Sequence, residues 1–429
     1  MRAVSSSWVL DDSSRGIFRV RRPAYSDPAV FRRELATIFS RCWLYLGHAS
    51  EIAEPDAFLT RTIANRSLIF LRDSSGVVRA YSNSCPHRGA TLCRAAKGKA
   101  KSFACMYHGW VFRSDGRLVH QPGGERYAPR INDDGALDLA RVPRLESYRD
   151  FYFVNFDASA VDLVTYLGNA KEYVDLVADQ AAESMRVVPG TQEYVIRANW
   201  KLLAENSIDI YHGASLHPTY LAYLQGTTGA LNPLAGLGGT ARDLGGGHGV
   251  VEYRGPWGRP IAQWIPMWGD EAKAEIEAIR QSLAARLGDS RAERIALTSR
   301  NLLIFPNLVI NDIGAITIRT FQPSAPDAML VDSWALAPAE ETEPFLARRL
   351  DNYLEFLGPA GFATPDDIEA IESCQRGYAG AADAVWSDLS KGMTFASQDW
   401  EDEGQLRAFW RRWREIVEDG EHGERGDAV

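Results

Sequence analysis

The chain is poor in cysteine: it has five in 429 residues, at positions 42, 85, 93, 105 and 374, without the spacing of a disulfide framework. That excludes a small disulfide-stapled scaffold. No run of about eighteen apolar residues is present that could span a bilayer, which excludes a helical membrane protein. The opening residues Met1-Arg2-Ala3-Val4-Ser5-Ser6-Ser7 run through Trp8-Val9-Leu10 into acidic sequence, without the apolar core or cleavage pattern of a signal peptide. Positive charge is also in deficit. A net charge of −9 argues against nucleic acid as a partner, and the arginine-rich run 407–414, interleaved with Phe409, Trp410 and Trp413, reads as an amphipathic helix. Internal repeats are absent, and the polar tail 418–429 is expected to fray. With 45% hydrophobic and 24% charged residues, the composition is that of a soluble, cytoplasmic enzyme long enough for two or three compact units.

Against that scarcity, two of the cysteines are conspicuously placed. Cys85-Pro86-His87-Arg88-Gly89 is answered, after a seventeen-residue interval following His87, by Cys105-Met106-Tyr107-His108-Gly109-Trp110. Two thiolates and two imidazoles on turn-prone segments suit either a structural Cys2His2 zinc site or a Rieske 2Fe-2S cluster, in which two histidines replace two cysteines on one iron. Each pair mixes one thiolate with one imidazole, which favours the cluster. Cys42, Cys93 and Cys374 are then reduced, partly buried thiols.

The pattern along the chain predicts an α+β fold. Residues 1–40 carry a helix over 27–39, with Phe31, Leu35, Ile38 and Phe39 on one face after the turn at Ser26-Asp27-Pro28, expected to pack on the catalytic part. Residues 41–157 alternate short apolar runs with turns such as Asp73-Ser74-Ser75-Gly76 and Ser114-Asp115-Gly116, the pattern of an antiparallel β domain with the Cys/His loops at its tips. Residues 158–429 mix strands over 193–198, 302–310, 315–322 and 329–336 with helices over 271–287, 343–357 and 405–417, implying a sheet covered by helices. The glycine-rich segment 226–249, which contains His248, reads as a mobile loop near a substrate entrance.

A second concentration of chemistry lies in the stretch from Asn199-Trp200-Lys201 through Glu205, Asn206, Asp209 and His212 to His217-Pro218. Burying those ionisable groups unpartnered is costly, and a metal compensates. On a helix, Asp209 and His212 share a face; His217 joins them only if the helix loosens at Gly213 or stops before Pro218. Two imidazoles and one carboxylate make the triad that leaves open positions on Fe(II) for O2. A pair of satisfied histidines at a helix end is the plain alternative.

Both motifs together resemble the Rieske non-haem iron aromatic-ring-hydroxylating dioxygenases, large (alpha) subunit. The resemblance implies Cys85 and Cys105 on one cluster iron, His87 and His108 on the other, and His212 and His217 on a mononuclear Fe(II). Its third ligand follows a turn matching Gly358-Pro359-Ala360-Gly361, which points to Asp367, with Asp366 as rival. Asn206 falls within the catalytic motif, and Asp209 is expected to bridge the two metal sites, in the family across a subunit boundary. The implied protein is a terminal oxygenase subunit in a homotrimer or an α3β3 assembly with a small subunit, taking electrons from NAD(P)H through a separate reductase or ferredoxin. The surrounding sequence resembles members acting on aromatic carboxylic acids, implying cis-dihydroxylation of p-cumate or a benzoate. Hydroxylation of a neutral hydrocarbon and monohydroxylation of a salicylate-like acid stay open. Arg319 is the candidate for the substrate carboxylate, because terephthalate-type relatives place such an arginine on the matching strand; a structural ion pair is the alternative reading. An electron-transfer protein and a zinc-stabilised binding module are the other classes, the first hard to reconcile with roughly 270 further residues.

Overall fold

The computed structural model describes residues 7–228, 238–255, 257–380 and 385–424, and the chain divides into two compact units, Ser40–Leu163 and Met1–Phe39 with Val164–Val429.

The first unit is antiparallel throughout. Ala57–Ile63 and Arg66–Arg72 form a hairpin closed by Ala64 and Asn65, both at positive φ (50° and 62°), the conformation whose twist matches that of the flanking strands. Arg149 and Asp150, at φ 49° and 69°, close the hairpin of Arg144–Tyr148 with Phe151–Asn155 in the same way. A third small sheet, Ser102–Ala104, Val111–Arg113 and Leu118–His120, completes the unit. Its core gathers Phe58, Ile69, Tyr81, Phe103, Trp110 and Phe112 around the buried Cys85 and Cys105.

The second unit is built on an eight-stranded antiparallel sheet. Its centre, Ser299–Ile304, Leu308–Asp312, Ile316–Ala325 and Ala328–Pro338, is buried almost throughout, so both faces are covered and polar residues there must find partners. On one face they do: Asp312 pairs with Arg259 at 2.6 Å and Arg300 at 2.9 Å, and Arg300 continues to Glu252 at 3.2 Å. The opposite face carries Asn301, Asn311 and Arg319.

The N-terminal helix Pro28–Arg41 starts where proline is pre-set for the first turn, with Asp27 Oδ1 accepting from the Ala29 amide at 2.7 Å. It delivers Glu34, fully buried, to Lys201 (2.5 Å), Trp200 Nε1 (2.8 Å) and Trp413 Nε1 (2.7 Å). Three segments far apart in sequence are thereby tied together: that helix, the helix Trp200–Ser207 and the C-terminal helix Gly404–Glu424.

Several expectations need correction. Residues 302–310 are two strands, Ser299–Ile304 and Leu308–Asp312, because the cis peptide Phe305-Pro306 turns the chain between them and breaks a run that is apolar apart from Asn307. The described end of the glycine-rich segment, from Gly238 on, is strand instead of loop. Gly238–Gly245 pairs with His248–Arg254, the reversal using Gly245, Gly246 and Gly247 at positive φ; residues 229–237 lie outside the described residues. His248 is buried there, accepting from the Phe305 amide at Nδ1 and contacting the Tyr166 carbonyl through Nε2. The C-terminal helix runs on through Glu424, past the expected start of a frayed tail, and residues 425–429 lie outside the described residues. Cys374 is exposed instead of partly buried.

Candidate metal centres and substrate cavity

The two Cys/His loops are copies of one turn. In each, the cysteine carbonyl accepts from the amide four residues on (Gly89 to Cys85, 2.8 Å; Gly109 to Cys105, 3.0 Å), while the cysteine amide donates to the carbonyl five residues on (Ala90, 2.9 Å; Trp110, 2.7 Å). Gly89 and Gly109 sit at φ 74° and 71°, a conformation open to glycine at no steric cost, and a Cβ on Gly109 would meet Pro122 Cγ at 3.2 Å. The loops converge: the imidazole centroids of His87 and His108 lie 4.6 Å apart, and His87 stacks flat on Trp110 at 4.7 Å. Arg88 Nη2 approaches His108 Nε2 at 2.7 Å.

Among the described residues, His212, His217 and Asp367 each offer a donor atom within 4.8 Å of the others, a group that could hold one metal ion.

The mononuclear site is assembled by a break in the helix. The helix Trp200–Ser207, capped by Asn199 Oδ1 on the Lys201 amide, stops at Ile208; a single turn, Gly213–Leu216, follows, and Pro218 opens the next helix, Pro218–Thr228. His212 and His217 flank that turn, with ring centroids 5.2 Å apart. Asp209 and His212 therefore do not share a helical face. They meet at 3.1 Å through an irregular turn in which Asp209 Oδ1 also accepts from the Tyr211 amide.

Both Nε2 atoms face one carboxylate, His212 at 3.4 Å and His217 at 3.3 Å from Asp367 Oδ1, and Asn206 Nδ2 donates to the same oxygen at 3.0 Å. Both Nδ1 atoms face outer carboxylates, Asp209 for His212 and Asp366, at 3.3 Å, for His217. The structure thus brings Asp367, not Asp366, against both Nε2 atoms, the two aspartates opening the helix Thr364–Gly380, which sequence periodicity did not reveal. Burial disfavours a charged His212, but hydrogen bonds to Asp209 and Asp367 outweigh it and raise its pKa to about 10. Asp367 is held well below the ordinary carboxylate range by the two imidazoles, despite its burial. A cluster that holds positive charge this firmly suits a divalent cation, and two imidazoles with a carboxylate are a donor set that ferrous iron takes.

Beside this group lies a cavity of about 250 Å³, walled by Tyr220, Leu224, Phe356 and Trp257 and entered by Asn301, Asn311 and Arg319. Arg319 is 3% exposed, and among the described residues no carboxylate lies within ion-pairing distance of it; Nη2 reaches Ser207 Oγ at 3.5 Å.

A cluster-binding β unit and a site for mononuclear iron beside an apolar cavity define a Rieske non-haem iron oxygenase. Comparison with known proteins agrees. Residues 42–143 match the Rieske [2Fe-2S] domain, and residues 182–419 match the ring hydroxylating alpha subunit (catalytic domain). The chain is 34% identical over 397 residues to the 2-halobenzoate 1,2-dioxygenase large subunit of Burkholderia cepacia, covering 91% of this chain and 84% of that one. It is 34% identical over 398 residues to the toluate 1,2-dioxygenase subunit alpha of Pseudomonas putida, covering 90% and 84%. Among solved structures, naphthalene 1,2-dioxygenase from Rhodococcus sp. bound to indole superposes with a TM-score of 0.81 at 28% identity, over 93% of this chain and 94% of that one. The chain belongs to the family of ring-hydroxylating dioxygenase large (alpha) subunits. It is an oxidoreductase whose domains imply one Rieske cluster and one mononuclear iron. Among the described residues no helix is long and apolar enough to cross a membrane.

Proposed function

We propose that this subunit hydroxylates the ring of a benzoate-type carboxylic acid, and the observation that carries the reading is Arg319. A buried guanidinium without an ion-pair partner is costly, and a substrate carboxylate in the adjacent cavity supplies that partner bidentately. A cavity of roughly 150 Å³ admits benzene, so 250 Å³ accommodates one substituted ring. The first relatives act, by name, on halobenzoate and toluate, in keeping with an acid.

In this reading Cys85, Cys105, His87 and His108 hold the cluster, and His212, His217 and Asp367 hold the mononuclear iron. When bound, the cluster supplies electrons and the iron activates O2. The chain's own residues do the rest. Asp209 and Asp366 fix the imidazoles by accepting hydrogen bonds from their Nδ1–H groups, and Asn206 holds Asp367 in place. Arg319 anchors the acid, while the aromatic and aliphatic walls exclude water. The balance is one ring, one O2, two electrons and two protons to one cis-dihydrodiol, the electrons coming from NAD(P)H through a reductase or ferredoxin. Asp209 would also reach His108 of a neighbouring subunit, making the working form a homotrimer or α3β3 assembly in the cytoplasm.

The test is turnover with an added reductase and ferredoxin over matched pairs: benzoate against benzene and toluate against xylene. Coupled O2 uptake and diol formation for the acids support the reading; faster, better-coupled turnover of the neutral arenes overturns it.

A further inference from the structure

The polar residues of the cavity form a diagonal row across three strands. Asn301 pairs with Asn311, and Asn311 with Thr317, so Arg319, two residues beyond Thr317, is the diagonal same-face neighbour of Asn311. All three line the cavity, and Asn301 and Asn311 are 7% and 2% exposed. The two amides are joined by one hydrogen bond, Asn311 Nδ2 donating to Asn301 Oδ1 at 2.8 Å. That leaves an unfilled acceptor: Asn311 Oδ1 is buried and has no partner.

A buried acceptor left unpaired in the wall of a ligand cavity is the mark of a site that a ligand completes. We propose that Asn311 is a specificity-determining residue and that the preferred substrate is a benzoate bearing a hydrogen-bond donor on the ring, an amino- or hydroxybenzoate. The carboxylate pairs with Arg319 while the ring N–H or O–H donates to Asn311 Oδ1. Alkyl- and halobenzoates of similar size leave that oxygen unpaired and are poorer substrates. This rests on the benzoate-type reading above and narrows it.

The experiment compares the isomeric amino-, hydroxy-, methyl- and chlorobenzoates in two ways: binding to the intact oxygenase by calorimetry, and kcat/KM with reductase and ferredoxin. Toluene and aniline serve as acid-free controls. At least one amino or hydroxy isomer is expected to exceed its methyl counterpart by about tenfold or more in both measurements. In Asn311→Leu that ratio collapses toward one, whatever the absolute rates. Equal binding and turnover of amino, hydroxy and methyl acids by the unmodified protein overturns the proposal and leaves the benzoate reading standing. Loss of any preference for acids over toluene and aniline overturns the benzoate reading itself. The calorimetric comparison needs no variant, so a misfolded Asn311→Leu protein does not remove the test.

Discussion

Replacing Arg319 by glutamine has two consequences of opposite sign. In the complex, the substitution removes the cation proposed to face the substrate carboxylate. Removing one partner of a buried, hydrogen-bonded pair costs about 3–5 kcal/mol. At about 1.4 kcal/mol per decade, kcat/KM for a benzoate falls by roughly 10²–10³·⁵, while that for benzene or toluene holds or rises. In the free protein the guanidinium is 3% exposed and has no carboxylate partner among the described residues, so its removal relieves a buried charge. Ligand-free Arg319→Gln is therefore expected to melt at or above the temperature of the parent, the trade of stability for function that binding sites make. The assay is paired: thermal unfolding without ligand, then initial rates of O2 uptake with acid and neutral substrates. Equal loss for benzoate and toluene, together with a lowered melting temperature, would refute the reasoning and return Arg319 to a structural role.

Lys201→Met strands the fully buried Glu34 carboxylate and is expected to cost about 3–5 kcal/mol by denaturant unfolding, with Lys201→Met/Glu34→Gln recovering part of the loss. Burial pushes Glu205 up from 4.5 to about 7, against hydrogen bonds from Tyr25 (2.6 Å) and Trp410 (2.7 Å). A raised carboxyl pKa favours the folded state below 4.5, and that contribution is lost as pH rises through 7; at about 1.36 kcal/mol per unit the swing exceeds about 3 kcal/mol. Glu205→Gln, which keeps an acceptor for both donors, should gain melting temperature relative to the parent as pH rises from 5 to 8; a pH-independent difference contradicts this. Gly109→Ala puts a Cβ at φ 71° and 3.2 Å from Pro122 Cγ, and should weaken cluster retention, read as lost visible absorption on incubation with a chelator.

What the sequence made legible was local and periodic. The Cys/His loops carry their chemistry in contiguous residues, and the start of the helix Pro28–Arg41 is marked by Asp27-Pro28. His212 and His217 were legible as a pair because Gly213 and Pro218 supply the break that lets them converge. The role of Asp366 was not: adjacent carboxylates at a helix start differ only in the direction they face, and that is fixed by a helix 149 residues from His217. The cis peptide at Phe305-Pro306 was likewise hidden, since a proline within an apolar run signals an interruption but not a reversal. Asn301 and Asn311 went unnoticed beside Arg319 because they become neighbours through strand register. The hairpin of Gly238–Gly245 with His248–Arg254 was masked by glycine, which reads as a loop even where a sheet supplies every partner.

The most direct test of the account is the metal content of the purified protein and of a His212→Ala/His217→Ala variant. The account predicts about three irons and two acid-labile sulfides per chain in the parent, with red-brown colour and a Rieske magnetic resonance signal on reduction. In the variant it predicts about two irons, the cluster spectrum unchanged and ring hydroxylation abolished. Zinc in place of iron, a colourless protein, or a variant that keeps its third iron would contradict it.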